Sequence, residues 1–281
     1  MTDSIFEHDS LAFRYRDEGS GIPVVFQHGL GGDLDVAFDL LVPLEGFRMV
    51  GFDARAHGAT RPIGPVEKLS IRQTVDDLTA LLDHLKIERA VVGGVSMGAA
   101  IALRFATLYP DRVLGLILSR PAWLDKKSPP NLAIFPFMAA LIREYGPAES
   151  LERLHQSPEY VQLLKQCPDA AQAFAGHFAH PRLGETFEKF DRIPADSPVD
   201  DRSSWKSIAV PALVLANHFD PIHPWEYAEE IAELIPSAVF AEIAAKSVSQ
   251  ARHSADFGAA AGRFLETNRA GWNRSLKVAS R

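Results

Sequence analysis

Short, nearly unbroken apolar runs rich in β-branched residues alternate with helical patterns along most of this chain, and that alternation constrains the fold more than any other feature of the sequence. Pro23-Val24-Val25-Phe26, Phe47 to Phe52, Ala90-Val91-Val92-Gly93 and Val113 to Leu118 read as four strands covered on both faces, because a strand with one wet face would alternate apolar with polar residues. Between the second and third, Ser70 followed by Gln73 opens a helix that carries Ile71, Val75, Leu78, Leu82 and Leu85 along one face. Strands and helices that take turns in this way make parallel strands joined by crossover helices, an α/β fold. From about Ala122 to Ser207 the strand-like runs vanish and prolines recur between short helical segments. The sheet pattern returns at Val210 to Leu215 and at Ala238 to Ile243, each followed by a helix, one starting near Pro224 and the other near Ser254. The expected organisation is therefore a core of residues 1–121 and 208–281 interrupted by a helical cap over residues 122–207. Beyond Asn268 the apolar periodicity is weak, and the tail is expected to fray.

Composition narrows the function. With 281 residues, 47% hydrophobic and 23% charged, the chain can bury a sizeable core. Its net charge of −7 lacks the basic footprint that tracks phosphate backbones, so nucleic acid is not an expected partner. The longest apolar run, Leu132 to Ile142, is about 11 residues and holds Pro136, too short to span a bilayer. Met1 to Ser10 carries Asp3, Glu7 and Asp9 where a secretory leader needs basic and apolar stretches. Cys167 is the only cysteine, which leaves neither an intrachain disulfide nor a cysteine zinc site. The expectation is a cytoplasmic protein, monomeric or homodimeric, with no membrane partner, acting on a small molecule without a cofactor or metal.

The chemistry-bearing residues gather at strand ends. Directly after the strand at Val91-Val92-Gly93 comes Gly94-Val95-Ser96-Met97-Gly98, then a helical pattern to Tyr109. A serine on such a sharp strand-to-helix turn is exposed on a strained backbone, and its neighbours must be small because strand and helix nearly touch there. A serine hydroxyl needs a base to take its proton and a third group to orient that base. In hydrolases built on this turn the chain order is Ser, acid, His. Asp220 follows the strand ending near Ala216, and His253 lies between Ile243 and the last helix, both at strand carboxyl ends where open α/β sheets bind ligands. Gln27-His28-Gly29-Leu30-Gly31-Gly32 follows an early strand and can aim backbone N–H groups at an oxyanion, with Leu30 and Met97 the expected donors and His28 bracing the loop. His218, Asp220 and His223 fall within six residues, a possible metal set, but no second cluster completes a shell and His223-Pro224 reads better as a helix entry.

These motifs, together with Phe52-Asp53-Ala54-Arg55-Ala56-His57-Gly58 and Tyr109-Pro110-Asp111-Arg112-Val113, resemble the α/β-hydrolase fold family over nearly the whole chain outside the cap. The resemblance implies a mostly parallel eight-stranded sheet flanked by helices, a Ser96-His253-Asp220 triad and a pocket between sheet and cap. Two positions depart from the family pattern: Ala56 and Arg252 stand where glycine is usual. Asp53, Arg55 and His57 are expected to brace loops.

The activity expected is hydrolysis of small carboxylic esters or lactones through an acyl-enzyme, EC 3.1.1-like. C–C bond hydrolysis or perhydrolysis would use the same triad, and a ligand-binding receptor on this fold is the alternative of another class. The cap aromatics Trp123, Phe135, Phe137, Phe174 and Phe178 are the candidate substrate-binding residues, implying an apolar pocket that disfavours highly charged substrates.

Overall fold

The computed structural model describes residues 3–279. Its strands are β1 (Ser4–His8), β2 (Leu11–Gly19), β3 (Ile22–Gln27), β4 (Phe47–Phe52), β5 (Ala90–Val95), β6 (Val113–Ser119), β7 (Ala212–Ala216) and β8 (Ala238–Glu242). They form one eight-stranded sheet in the order β1-β2-β4-β3-β5-β6-β7-β8. β1–β2 and β2–β4 pair antiparallel, and every pairing from β4 through β3 to β8 is parallel. The two antiparallel strands lack an unbroken apolar run because one face is wet: Leu11 and Phe13 are buried, while Arg14 and Arg16 point outward to bind Asp3 and Asp35.

α1 (Leu34–Leu40), α2 (Ile71–His84) and α3 (Met97–Leu108) follow β3, β4 and β5. Asp33 caps α1 by accepting the Val36 amide, and Ser70 caps α2 by accepting the Gln73 amide at 3.0 Å. Gln73 does not return the bond; its amide donates to Asp77 instead, at 3.3 Å. Between β6 and β7 every element is helical: α4 (Ile134–Gln156), α5 (Pro158–Gln166), α6 (Pro168–Gly176), α7 (Leu183–Thr186) and α8 (Lys189–Arg192), with short 3₁₀ turns. The prolines of this stretch act as punctuation. Pro158 and Pro168 each open a helix, and Pro147 follows the α4 kink at Gly146, whose φ is 73°. α9 (Trp225–Leu234) and α10 (Gln250–Ala279) complete the core.

Alternate strand residues feed two apolar layers. Val25, Val50, Val92, Leu116 and Val214 join α2, α3, α9 and the insertion, while Val24, Phe26, Met49, Ile117 and Leu215 join α1 and α10. The insertion is also held to the core by cations on backbone carbonyls. Arg182 donates to Gly58 O and Thr60 O at 2.8 and 3.0 Å, and Lys189 donates to Ala56 O at 2.8 Å.

Over the described residues 269–279 the expected fraying does not occur; the last two residues lie outside the described ones. α10 runs on through Ala279, and Trp272 is buried with its ring edge-on to Phe264 at 5.8 Å. Gly115 makes the room: a Cβ there would lie 2.7 Å from the indole. One large aromatic anchors that segment where periodicity offered no signal. Among the described residues no helix is long and apolar enough to cross a membrane.

Candidate active site

Ser96 sits at the carboxyl end of β5 as the first residue before α3, with φ 56° and ψ −109°. A non-glycine residue with positive φ is strained, and the surroundings enforce it here. Its amide donates to Ser119 O at 3.0 Å, and its carbonyl accepts from Ala99 and Ala100. The flanking glycines explain themselves sterically. A Cβ on Gly94 would meet Gln27 O and the Gly98 backbone at 2.5–2.6 Å, and one on Gly98 would overlap Gln27 O, so β3, β5 and α3 converge only without side chains.

The loop after β3 lies against this turn: a Cβ on Gly29 would be 3.5 Å from Ser96 Cβ. Two buried imidazoles pin the loop. His28 Nε2 accepts the Ala54 amide at 3.1 Å, so the network assigns the ring proton to Nδ1, which donates to Gly29 O at 2.8 Å. His57 Nε2 accepts the Gly31 amide at 3.1 Å and its Nδ1 donates to Arg55 O at 2.8 Å. Burial holds both rings neutral by lowering their pKa. Gly32 donates to Gly29 O, so within the loop the Leu30 amide is left without a protein acceptor among the described residues, as is the Met97 amide beside Ser96. Asp53 accepts the Leu34 and Ala59 amides, both at 2.7 Å, and Arg55 grips Asp77 through two bonds of 2.7 Å. Both brace loops.

Asp220 lies after β7 with its carboxylate buried and fully engaged. Oδ1 accepts the Ile222 and His223 amides, each at 3.2 Å. Oδ2 meets Arg120 Nη2 at 2.8 Å and His223 Nδ1 at 2.9 Å. Burial alone would raise the carboxyl's pKa, but His223 and Arg120 hold it well below the usual carboxylate range. Burial lowers the His223 pKa against the pull of Asp220. Nδ1 also lies 3.0 Å from Arg120 Nη2, so the carboxylate and the guanidinium compete for that nitrogen; with its proton on Nδ1 the neutral ring points the N–H at Asp220 and keeps Nε2 as an acceptor.

His253 lies near enough to feel the charges of Arg120, Lys246 and Asp220 but is not bonded to Asp220. α10 begins at Gln250, so His253 belongs to the first turn of that helix and not to a loop. Its Nδ1 meets Ala244 O at 2.8 Å, its Nε2 is buried with no partner, and no hydrogen bond joins it to Asp220. Burial pushes its pKa down to about 4. The Asp220–His223 pairing was visible in the sequence only as an i,i+3 spacing.

Ser96, Asp220 and His223 line one cavity of about 440 Å³, with Leu30, Arg120, Lys246 and Gln250 on the core side. The insertion contributes Phe135, Asp169, Ala170, Ala173, Phe174 and His177. Two of the expected aromatics, Phe135 and Phe174, line the cavity that Ser96 lines, their rings edge-to-face with each other at 4.8 Å. Trp123 is fully buried, and Phe137 and Phe178 pack half-buried on the core, none of the three lining the cavity. Arg120, Lys246 and His177 were not anticipated. A larger cavity of about 530 Å³, lined by His218, Phe219, Glu242, Arg252 and Asp256 among others, contains no serine nucleophile. Among the described residues no group of His, Cys, Asp and Glu side chains is arranged to hold a metal; His218 stacks on Trp225 at 3.9 Å instead of joining Asp220 and His223.

Comparison with known proteins agrees with this architecture. The chain is 26% identical over 249 residues to the AB hydrolase superfamily protein YisY of Bacillus subtilis, spanning 79% of this chain and 85% of that protein. It is 27% identical over 211 residues to 3-oxoadipate enol-lactonase 2 of Acinetobacter baylyi, spanning 71% of this chain and 72% of the relative. The solved enol-lactonase from Burkholderia xenovorans superposes with a TM-score of 0.74 at 23% identity, covering 94% of this chain and 100% of that one. A family model for the alpha/beta hydrolase fold matches residues 22–253. With a mostly parallel eight-stranded sheet flanked by helices and a family match over most of its length, the chain belongs to the alpha/beta hydrolase fold family.

Proposed function

We propose that this hydrolase cleaves small carboxylic esters or lactones, with Ser96 as nucleophile. The observation that carries the reading is the strained Ser96 turn opening into a cavity beside two backbone amides, Leu30 and Met97, that have no protein acceptor. Ser96 Oγ attacks the carbonyl carbon, the two amides meet the oxyanion, and an imidazole takes the serine proton and returns it to the leaving alkoxide. Water then attacks the acyl-enzyme by the same route. Lactone and ester relatives, the enol-lactonases above among them, support this choice of bond.

The base is the one role for which sequence order and observed geometry favour different residues. His253 would need its ring to leave Ala244 O and reach Asp220. His223 already holds Nδ1 against Asp220 and shares the cavity with Ser96, so we assign the base to His223 and its orientation to Asp220. A fluorophosphonate probe should label Ser96 alone, and Ser96→Ala should stay folded while p-nitrophenyl acetate turnover drops by several orders of magnitude. Labelling at another residue, or full activity in the alanine variant, would overturn the assignment.

A further inference from the structure

We propose that Lys246 is a subsite for a carboxylate, so that the substrate is an ester or lactone carrying a second, ionised acid group. The inference rests on Ser96 being the reactive centre. Lys246 stands on the loop between β8 and α10, half-buried, in the wall of the cavity that holds Ser96. It makes no hydrogen bond and no ion pair with any described residue. An ammonium drawn partly out of water without a counter-ion is costly, and the cost is removed when a ligand brings the counter-ion.

Neither carboxylate of the cavity wall makes an ion pair or hydrogen bond with Lys246. Asp220 spends both oxygens on Arg120, His223 and two amides. Asp169, the other acid of the wall, accepts the Cys167 thiol and pairs with no cation. Burial and the neighbouring Arg120 lower the Lys246 pKa and outweigh the pull of Asp220 and Asp169, which act on it through space without an ion pair. Across the cavity His177 is held neutral, its pKa pushed down to about 4 by burial and Lys189, so it neither repels nor attracts an anion at neutral pH.

The chemistry favours a carboxylate over a phosphate. A phosphate is best met by a planar guanidinium fork, and the Arg120 fork is committed to Asp220. What remains is a single ammonium, suited to one negative charge, with Gln250 on the same side. The opposite wall of Phe135, Ala170, Ala173 and Phe174 suits the hydrocarbon between the two acyl functions. Phe135 and Phe174 were candidates from the sequence, whereas Lys246 was not, and a substrate with a single carboxylate adds one charge to an otherwise apolar ligand.

Mono-p-nitrophenyl esters of short dicarboxylic acids, glutarate through pimelate, compared with their ω-methyl esters, test this directly. The best monoacid should exceed its methyl ester in kcat/KM by about tenfold, mostly through KM. Lys246→Gln should bring that ratio close to one and Lys246→Arg should restore part of it. A wild-type ratio near one, a ratio unchanged in Lys246→Gln, or an equal loss of kcat on both esters, the mark of a lysine acting on the serine proton, would overturn the proposal. Calorimetric binding of monomethyl pimelate to Ser96→Ala and to Ser96→Ala/Lys246→Gln reads the subsite without turnover. Tighter binding to the first supports the subsite even if Ser96 proves unreactive, and equal binding refutes it.

Discussion

A single backbone angle decides what Ser96 can do. At φ 56° its side chain stands clear of both β5 and α3, and glycines at 94 and 98 make that conformation sterically possible. A local motif of this kind is legible in sequence because the constraint is local. The partner of Asp220 is not, because it depends on which imidazole the folded loops bring within 3 Å, and here it is His223 at 2.9 Å. His223→Ala should lower kcat/KM by ~10²–10⁴, the usual contribution of a general base. His253→Gln, which keeps a donor for Ala244 O, should cost less than about tenfold. The reverse ranking in steady-state assays would return the base to His253. Since burial lowers the His223 pKa, the wild-type acid limb of kcat/KM should lie below the ordinary histidine value of about 6.5.

Among the elements, the helical insertion bears most on function because it builds half the cavity wall, and its attachment is polar as well as apolar. Lys189 of α8 is buried against Ala56 O, and burial together with Arg182 pushes its pKa down to about 7. Ala56, where the family usually has glycine, has φ 59° and presents the carbonyl that Lys189 reaches. The folded state therefore binds this proton less tightly than the unfolded chain does. Between about pH 7 and the ordinary lysine value of about 10.5 the unfolded state holds more protons, so stability should rise with pH across that window. Below it the penalty is constant, on the order of a few kcal/mol. Lys189→Met should flatten the rise, measured as the difference in urea-unfolding free energy between variant and wild type at the two ends of the window. Parallel curves would show that the ammonium is not desolvated in this way.

At the scale of the whole molecule, the same desolvation should make the protein acid-labile. His177 in the insertion and His253 in α10 both have folded-state pKa values pushed down to about 4, chiefly by burial, and His28 and His57 are lowered too. Their contribution to stability is complete above the unfolded value of about 6.5 and is lost as pH falls towards about 4. Shifts of this size in buried histidines are worth on the order of a few kcal/mol, a large share of the ~5–15 kcal/mol that holds a typical domain together. Calorimetric Tm should therefore fall steeply across that range, and His177→Phe should reduce the fall. An unchanged slope would show that His177 is hydrated in solution.

The sequence by itself determined the parallel strands, the insertion, the Ser96 turn and the two glycine-flanked amide donors as candidates, because each is written in contiguous residues: unbroken apolar runs, proline punctuation, small residues around one serine. It also carried the family resemblance that the family match bears out over residues 22–253. The antiparallel strands β1 and β2, the anchoring of α10 by Trp272 in the space over Gly115, the pairing of Asp220 with His223 and Arg120, and the unpaired Lys246 were decided by tertiary structure. Each depends on residues far apart in the chain, or on which of several similar side chains a loop turns inward. Distance, burial and the competition of donors for one carboxylate exist only once the sheet has brought those loops to the same edge.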